Sequence, residues 1–190
     1  AMASTYMNIP LAHTQGGEIT GSIDESVRHA TTKLAHIHFP ATKKSAINLK
    51  KLGEYPNNIF FTGCPSIDLI KRANLKIDKN FVKKYAPSGV GTDINFLKKY
   101  IVILQHPVTT EYGSGLRQIK ATIDAVKDLN TQIVWLWPNV DAGSDDISKG
   151  LRIFRETYKG KKIKFYKNFD PEDYLKLINN AACMVGNSSS

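Results

Sequence analysis

The sequence predicts an α/β fold built on parallel sheet, and three observations carry that prediction. Short runs of apolar or β-branched residues alternate regularly with segments of helical periodicity. The runs are nearly continuous in apolar residues, the pattern of strands covered on both faces. Helix boundaries carry local signals: Thr42 stands before one helical segment with Gly53 behind it, and Pro171 opens another directly after Asp170.

Taken in order, strands are expected at 9–14, 36–41, 59–62, 100–105, 132–137, 163–166 and 182–185. Between them, 24–34 places Val27, Ala30, Thr31 and Leu34 on one stripe expected to be buried. The segment 42–51 is the helix with the Thr42 start. In 115–129, Leu116, Ile119, Ile123, Val126 and Leu129 share a face; in 145–158, Ile147, Leu151, Ile153 and Phe154 do, and 171–179 is the last helix. Strict alternation of this kind implies right-handed βαβ units. The rhythm breaks between about Lys71 and Lys99, where helical pieces precede Pro87-Ser88-Gly89-Val90-Gly91-Thr92 without a strong strand. A first domain is therefore expected over 1–85, a hinge over 86–99 and a second domain over 100–190. The first holds few strands for an open sheet. The chain ends at a strand followed by Gly186-Asn187-Ser188-Ser189-Ser190, where a helix is expected, so it reads as a segment from the middle of a two-domain protein.

Composition bounds the function class. With 42% hydrophobic and 23% charged residues over 190 positions, the chain is ordinary globular material. No apolar run approaches the ~20 residues of a membrane span, and Ala1 to Tyr6 lack the regions of a secretory signal, so no membrane association and a cytoplasmic location are expected. Cys64 and Cys183 fit no metal-ligand spacing and read as reduced, packed thiols; no cofactor and no metal are expected. The net charge of +9 invites a nucleic-acid partner. Its distribution argues otherwise: lysine pairs such as Lys43-Lys44 and Lys98-Lys99 are scattered, with no basic run interleaved with aromatics. A solvated surface that attracts an anionic metabolite is favoured over a duplex-binding face.

Four loops carry polar chemistry. His13 and Gln15 fall at a strand's carboxyl end, where α/β enzymes keep ligands, followed by Gly16-Gly17 and by Glu18, Asp24, Glu25 and Arg28. Spacing alone fits two readings here, an anion or proton-transfer site and a capped helix with an Asp24–Arg28 pair. His106 closes a strand before Pro107 and is placed to move a proton or donate to a phosphate. Asn139, Asp141 and Ser144 follow the next strand, Ser144 as a helix cap. The terminal turn Gly186-Asn187-Ser188-Ser189 offers backbone N–H groups and hydroxyls as an anion cradle. His36 and His38 alternate on a strand and read as packed or exposed, and Phe165 and Tyr166 as core.

At these residues the chain resembles the hydrolysing UDP-N-acetylglucosamine 2-epimerases, including the epimerase half of the animal bifunctional sialic-acid enzyme and bacterial relatives of the sialic- and legionaminic-acid pathways. The matching stretches are His13 to Glu18, Gly21 to His29, Lys33-Leu34-Ala35-His36, Gly63-Cys64-Pro65-Ser66, Leu104 to Thr110, Pro138 to Ser144 and Gly186 to Ser189. The resemblance implies a GT-B-like fold: two Rossmann-like domains with a UDP-sugar between them, both incomplete over these residues. It implies elimination of UDP across C1–C2 followed by hydration, and a homo-oligomer for the full-length protein. By the same resemblance His106 lies near the diphosphate, Ser188 and Ser189 bind phosphate, Phe169 contacts the uracil nucleoside through its backbone, and Asp24 is a catalytic carboxylate; by position, Gly186 and Asn187 join the phosphate turn, and Arg28, one turn past Asp24, holds an anion or orients that carboxylate. Gln15 stands where better-known members carry glutamate. An amide exchanges no proton, so either the acid role passes to Glu18, Asp24 or Glu25, or Gln15 only binds. The resemblance also implies that further catalytic groups lie outside this segment, which alone is expected to be inactive or nearly so. The non-hydrolysing epimerase or another GT-B UDP-sugar enzyme is the alternative within the fold, and a non-catalytic nucleotide or nucleic-acid binding module the alternative outside it.

Overall fold

The computed structural model describes residues 1–21, 23–139, 143–157 and 162–188. The chain divides into two compact units, Ala1–Arg72 and Ala73–Ser190.

The first unit runs α1 (Met2–Tyr6), β1 (Ala12–Thr14), α2 (Ile23–Leu34), β2 (Ile37–Phe39), α3 (Lys43–Lys51), a 3₁₀ turn (Pro56–Asn58) and α4 (Pro65–Arg72). β1 and β2 pair in parallel, with His13 opposite His38. The strand expected at 59–62 reduces to one parallel bridge between His38 and Ile59, with Phe60 N donating to His38 O at 2.8 Å. Thr42 caps α3 by accepting from Ser45 N at 3.0 Å, and Leu49 of that helix is fully buried. The stripe expected on α2 is not buried: Val27 is 62% exposed, and Thr32 is the residue of that helix that is covered. Periodicity marks an apolar face, but burial needs an opposing surface, and a two-stranded sheet offers a narrow one.

The second unit runs α5 (Lys79–Tyr85), β3 (Val90–Gly91), β4 (Tyr100–Leu104), a 3₁₀ turn (Thr109–Glu111), α6 (Gly115–Val126), β5 (Gln132–Leu136), α7 (Ser144–Thr157), β6 (Ile163–Tyr166), α8 (Pro171–Asn179) and β7 (Cys183–Gly186). Its five-stranded sheet has the order β3-β6-β5-β4-β7. β4 to β7 are mutually parallel, whereas β3 is antiparallel to β6, an edge strand too short to leave a sequence signal. One face of the sheet packs on α6 and α7 through Ile119, Ile123, Leu151 and Phe154. The other packs on α5 and α8 through Phe81, Tyr85 and Leu177. Residues 86–99, read from the sequence as a hinge, pack within this unit: Ile94 and Phe96 are buried, and Lys164 reaches Asp93 at 2.9 Å and the Ala86 carbonyl.

Local differences have local causes. Asp170 does not cap α8, because its carboxylate pairs with Lys84. Ser144 is already helical and so is not the cap residue ahead of α7. α6 ends at Val126, leaving Leu129 exposed, and the end expected for α7 at Tyr158 lies outside the described residues. Cys183, expected to be packed, is exposed on β7, and Cys64 is partly covered; both are free thiols. No helix among the described residues is long and apolar enough to cross a membrane.

Candidate functional site

The chain order of the second sheet creates a crevice. β4 is followed through α6 by β5 on one side, and β7 arrives through α8 on the other. The α6 connection out of β4 and the α8 connection into β7 therefore lie on opposite faces of the sheet, and such a switch point at the carboxyl ends of parallel strands is where open α/β sheets bind ligands. His106 follows β4 there, Asn139 follows β5 and Asn187 follows β7.

Hydrogen bonds lock these three residues together. His106 N donates to Asn187 Oδ1 at 2.8 Å, and Asn187 Nδ2 donates to His106 O at 3.0 Å. One carboxamide thus satisfies both backbone groups of His106, where the chain has left β4 and Pro107 offers no N–H. Asn139 N donates to His106 Nδ1 at 3.3 Å. An imidazole that accepts at Nδ1 carries its proton on Nε2, so the ring presents a donor from that nitrogen. Gly186 makes the arrangement possible. It pairs with Leu104, and a Cβ at this position would overlap the Leu104 carbonyl. The residue is therefore required for the close approach of β7 to β4 rather than for ligand contact alone.

The other residues expected at this end differ in availability. Ser188 is partly covered and makes contacts of its own. Ser189 and Asp141 lie outside the described residues. Phe169 is 6% exposed, its ring packed at 4.3 Å from Tyr85 and 5.0 Å from Tyr166 between centroids. Its side chain belongs to the core, which leaves its backbone as the group able to meet a ligand.

In the first unit, the 13–28 loop is organised around Gln15. This residue adopts a left-handed conformation, φ 60°, and its N–H donates to Phe39 O at 2.9 Å. A non-glycine residue held at positive φ is uncommon and clusters at functional positions. Its Nε2 donates to Cys64 Sγ at 3.4 Å. Cys64 directly precedes α4, and the backbone N–H groups of Ile67 and Ser66 hold its thiol pKa below the ordinary value. The sulfur fixes the amide, so Oε1 remains as the free acceptor of Gln15. The Cys64 partnership was not read from the sequence; a cysteine directly before a proline-led helix is the signal that could have found it. Gly17 has φ 81°, and a Cβ there would overlap Ser45 O. The glycine is used for packing the loop on α3, where Asn48 Nδ2 also donates to Gly17 O at 2.9 Å.

The carboxylates divide by use. Glu25 accepts from Gly21 N at 2.6 Å and Thr20 N at 2.7 Å, and these N–H groups hold its pKa below the usual range. It is committed to the loop that precedes α2. Arg28 donates to Glu18 O at 3.1 Å and Thr20 Oγ1 at 3.4 Å, a loop-holding role rather than an open anion clamp. Asp24 is exposed in the first turn of α2, and Glu18 is half-buried. His13 Nδ1 lies 3.1 Å from Thr32 Oγ1, and burial, with His38 and Arg28 nearby, pushes its pKa down. His36 is exposed and accepts from Leu11 N, while His38 is buried with Nε2 3.3 Å from Glu54.

Comparison with known proteins agrees with this architecture. The family model described as UDP-N-acetylglucosamine 2-epimerase matches residues 1–190. The chain is 34% identical over 190 residues to a UDP-N,N'-diacetylbacillosamine 2-epimerase (hydrolyzing) from Legionella pneumophila, covering 100% of this chain and 48% of that protein. It is 30% identical to a GDP/UDP-N,N'-diacetylbacillosamine 2-epimerase (hydrolyzing) from Campylobacter jejuni, covering 100% and 48%. The chain thus spans about half the length of the curated relatives it matches. Among solved structures, UDP-GlcNAc 2-epimerase from Methanocaldococcus jannaschii, in complex with UDP-GlcNAc and UDP, aligns with a TM-score of 0.74 at 16% identity, over 98% of this chain and 51% of that one. The Neisseria meningitidis enzyme bound to UDP-GlcNAc aligns with a TM-score of 0.72 at 17% identity, over 99% and 50%. At these identities the structures establish the fold, which is the GT-B-like α/β fold. With the family model matched over residues 1–190 and a relative 34% identical over the whole of this chain, the chain belongs to the UDP-N-acetylglucosamine 2-epimerase family.

Proposed function

We propose that this chain is part of a hydrolysing UDP-sugar 2-epimerase, and that the crevice held by His106 and Asn187 takes the diphosphate of UDP. The observation that carries this reading is the lock on His106 at the switch point, which aims an Nε2–H donor outward. A donor fixed before the ligand arrives can stabilise the negative charge that grows on UDP as it leaves. Asn187 acts through His106 rather than on substrate. Gly186, Ser188 and Ser189 supply the remaining anion contacts, and the Phe169 backbone meets the nucleoside.

The chemistry follows in two balanced steps. A base removes the proton on C2 of the sugar, the C1–O bond breaks, and UDP departs with the electron pair, leaving a C1–C2 double bond. Water then adds its hydroxyl to C1 while a proton returns to C2 on the opposite face, giving free UDP and the 2-epimeric sugar. Asp24 is the carboxylate we assign to proton transfer, with Glu18 as the alternative; Glu25 is held by backbone N–H groups and Gln15 has no proton to exchange. Gln15 binds, offering Oε1 to a hydroxyl or to the attacking water. The sugar is UDP-N-acetylglucosamine or a diacetylated bacillosamine analogue, as the names of the hydrolysing relatives suggest. Ala1–Arg72 belongs to the first Rossmann-like domain and Ala73–Ser190, which takes in α5 and the 86–99 segment, to the nucleotide-binding one, and turnover needs residues beyond this segment.

Product analysis of the full-length protein tests the proposal. Free UDP together with the free 2-epimeric sugar is the expected outcome, whereas the epimeric UDP-sugar would identify the non-hydrolysing reaction. Asp24→Asn should lower turnover by roughly 100-fold or more while UDP affinity is kept. Full activity in that variant would remove Asp24 from proton transfer.

A further inference from the structure

The second unit carries another cavity, at the opposite end of its sheet from His106. It has a volume of about 620 Å³ and is formed where β4, β5 and β6 begin, around Lys99, Gln132 and Lys162. This is within the range of ligand pockets. β4 spans five residues between the two ends, so the cavity and His106 lie on the order of 15 Å apart or more.

The lining is basic and preformed. Lys98, Lys99 and Lys162 surround the cavity, and none of them is in an ion pair among the described residues. Asp93, also in the lining, is already bonded to Lys164 at 2.9 Å, so it does not neutralise them. Asn95, Asn130 and Thr131 add neutral polar groups. The floor is Gln132, which is 9% exposed. Its Oε1 accepts from Asn95 N at 2.7 Å, and its Nε2 donates to Asn95 O at 3.1 Å and to Lys99 O at 3.2 Å. Thr92 N donates to Ile163 O at 2.9 Å. The backbone of the 92–99 loop is thereby pinned to the starts of β5 and β6, and Lys98 and Lys99 stand on that held backbone. All three lysines are solvent-exposed, so water screens their mutual repulsion, and together they raise the local concentration of anions at the mouth of the cavity. All three cations are lysines, point charges that suit the near-spherical charge of a phosphate, and no arginine fork is present for planar carboxylates.

We infer that this cavity is a second anion site, distinct from the switch-point crevice, and that it takes a small phosphorylated molecule bearing two or more negative charges. A ligand here is too far from the reacting centre to be consumed. It binds as an effector or as a stabilising ion. The inference does not rest on the proposed epimerase reaction.

The test is calorimetric titration of the 190-residue chain with pyrophosphate, glucose 1-phosphate and citrate at low salt, in wild type, in a Lys98→Gln/Lys99→Gln/Lys162→Gln variant and in His106→Ala. Circular dichroism melting checks that each variant is folded. The triple variant should lose roughly tenfold or more in affinity for pyrophosphate, while His106→Ala retains a saturable component. Retention with glucose 1-phosphate as well would identify a phosphate ester as the class of ligand, and pyrophosphate alone a free diphosphate. Equal affinity in wild type and triple variant overturns the inference, as does citrate binding as tightly as either phosphate. Binding lost only in His106→Ala would also overturn it, while leaving the epimerase reading intact. Steeply salt-dependent duplex DNA binding lost in the triple variant, with no response to the small anions, would replace the small-molecule site with a nucleic-acid contact.

Discussion

The carboxamide of Asn187 holds both backbone polar groups of His106, at 2.8 and 3.0 Å, across the boundary between β7 and β4. The two residues are 81 positions apart in sequence. Their link turns a loop histidine into a fixed donor. Asn187→Ala should cost about 1–2 kcal/mol of stability from two lost hydrogen bonds, read as a lower denaturation midpoint of the second unit. It should also weaken UDP binding without touching the nucleotide. Asn187→Asp sets a carboxylate oxygen against the His106 carbonyl and a negative charge beside the proposed diphosphate site, so at neutral pH it should weaken UDP binding at least as much as Asn187→Ala.

Gly186 sets how closely β7 can lie beside β4. Gly186→Ala forces a Cβ into the Leu104 carbonyl, and a shift of the edge strand is the only relief. The expected destabilisation is about 1–3 kcal/mol, with amide exchange rising first at 183–187 and at Leu104. Unchanged protection at these amides would contradict the pairing.

The Cys64 thiol sits on backbone N–H groups at the start of α4, which favour the thiolate. Alkylation by iodoacetamide should therefore show a midpoint below that of an ordinary cysteine. Cys183, exposed on β7, serves as the internal comparison. Gln15→Leu removes one donor to the sulfur and should move the Cys64 midpoint upward by a small amount, because the backbone groups remain.

His13 provides a pH dependence. Burial is the main cause of its lowered pKa, so the folded state favours the neutral ring and the unfolded chain binds the proton more readily. Its contribution to stability is complete above the ordinary histidine value of about 6.5 and is lost as pH falls below that value through the depressed folded pKa. Melting of the first unit should thus drop as the pH falls below about 6.5, and His13→Gln should flatten the drop.

The second unit was far more legible in the sequence than the first. β4, β5 and β6 are buried along their whole length, so 100–104 and 133–136 read as apolar runs, Lys164 alone interrupts the next one, and the 163–166 segment came out with the observed bounds. In the first unit the same reasoning overextended. Val27 and Ile37 look like core residues by pattern but are exposed, because burial depends on which surfaces face them, and pattern is silent on that. The position of His106 at a strand end was readable from Leu104-Gln105-His106-Pro107. Its grip by Asn187 was not, since no local rule links residues on separate strands. Phe169 shows the converse: a residue singled out by its motif position has its side chain engaged in the core through Tyr85 and Tyr166.

The most direct test of the central claim is a ¹H–¹⁵N titration of the chain with UDP, in wild type and in His106→Ala. Shifts concentrated at 104–108, 139 and 186–188, with an affinity reduced roughly tenfold or more in the variant, are the predicted result. Shifts confined to other parts of the chain, or equal affinity in the two proteins, would contradict a diphosphate site at the switch point.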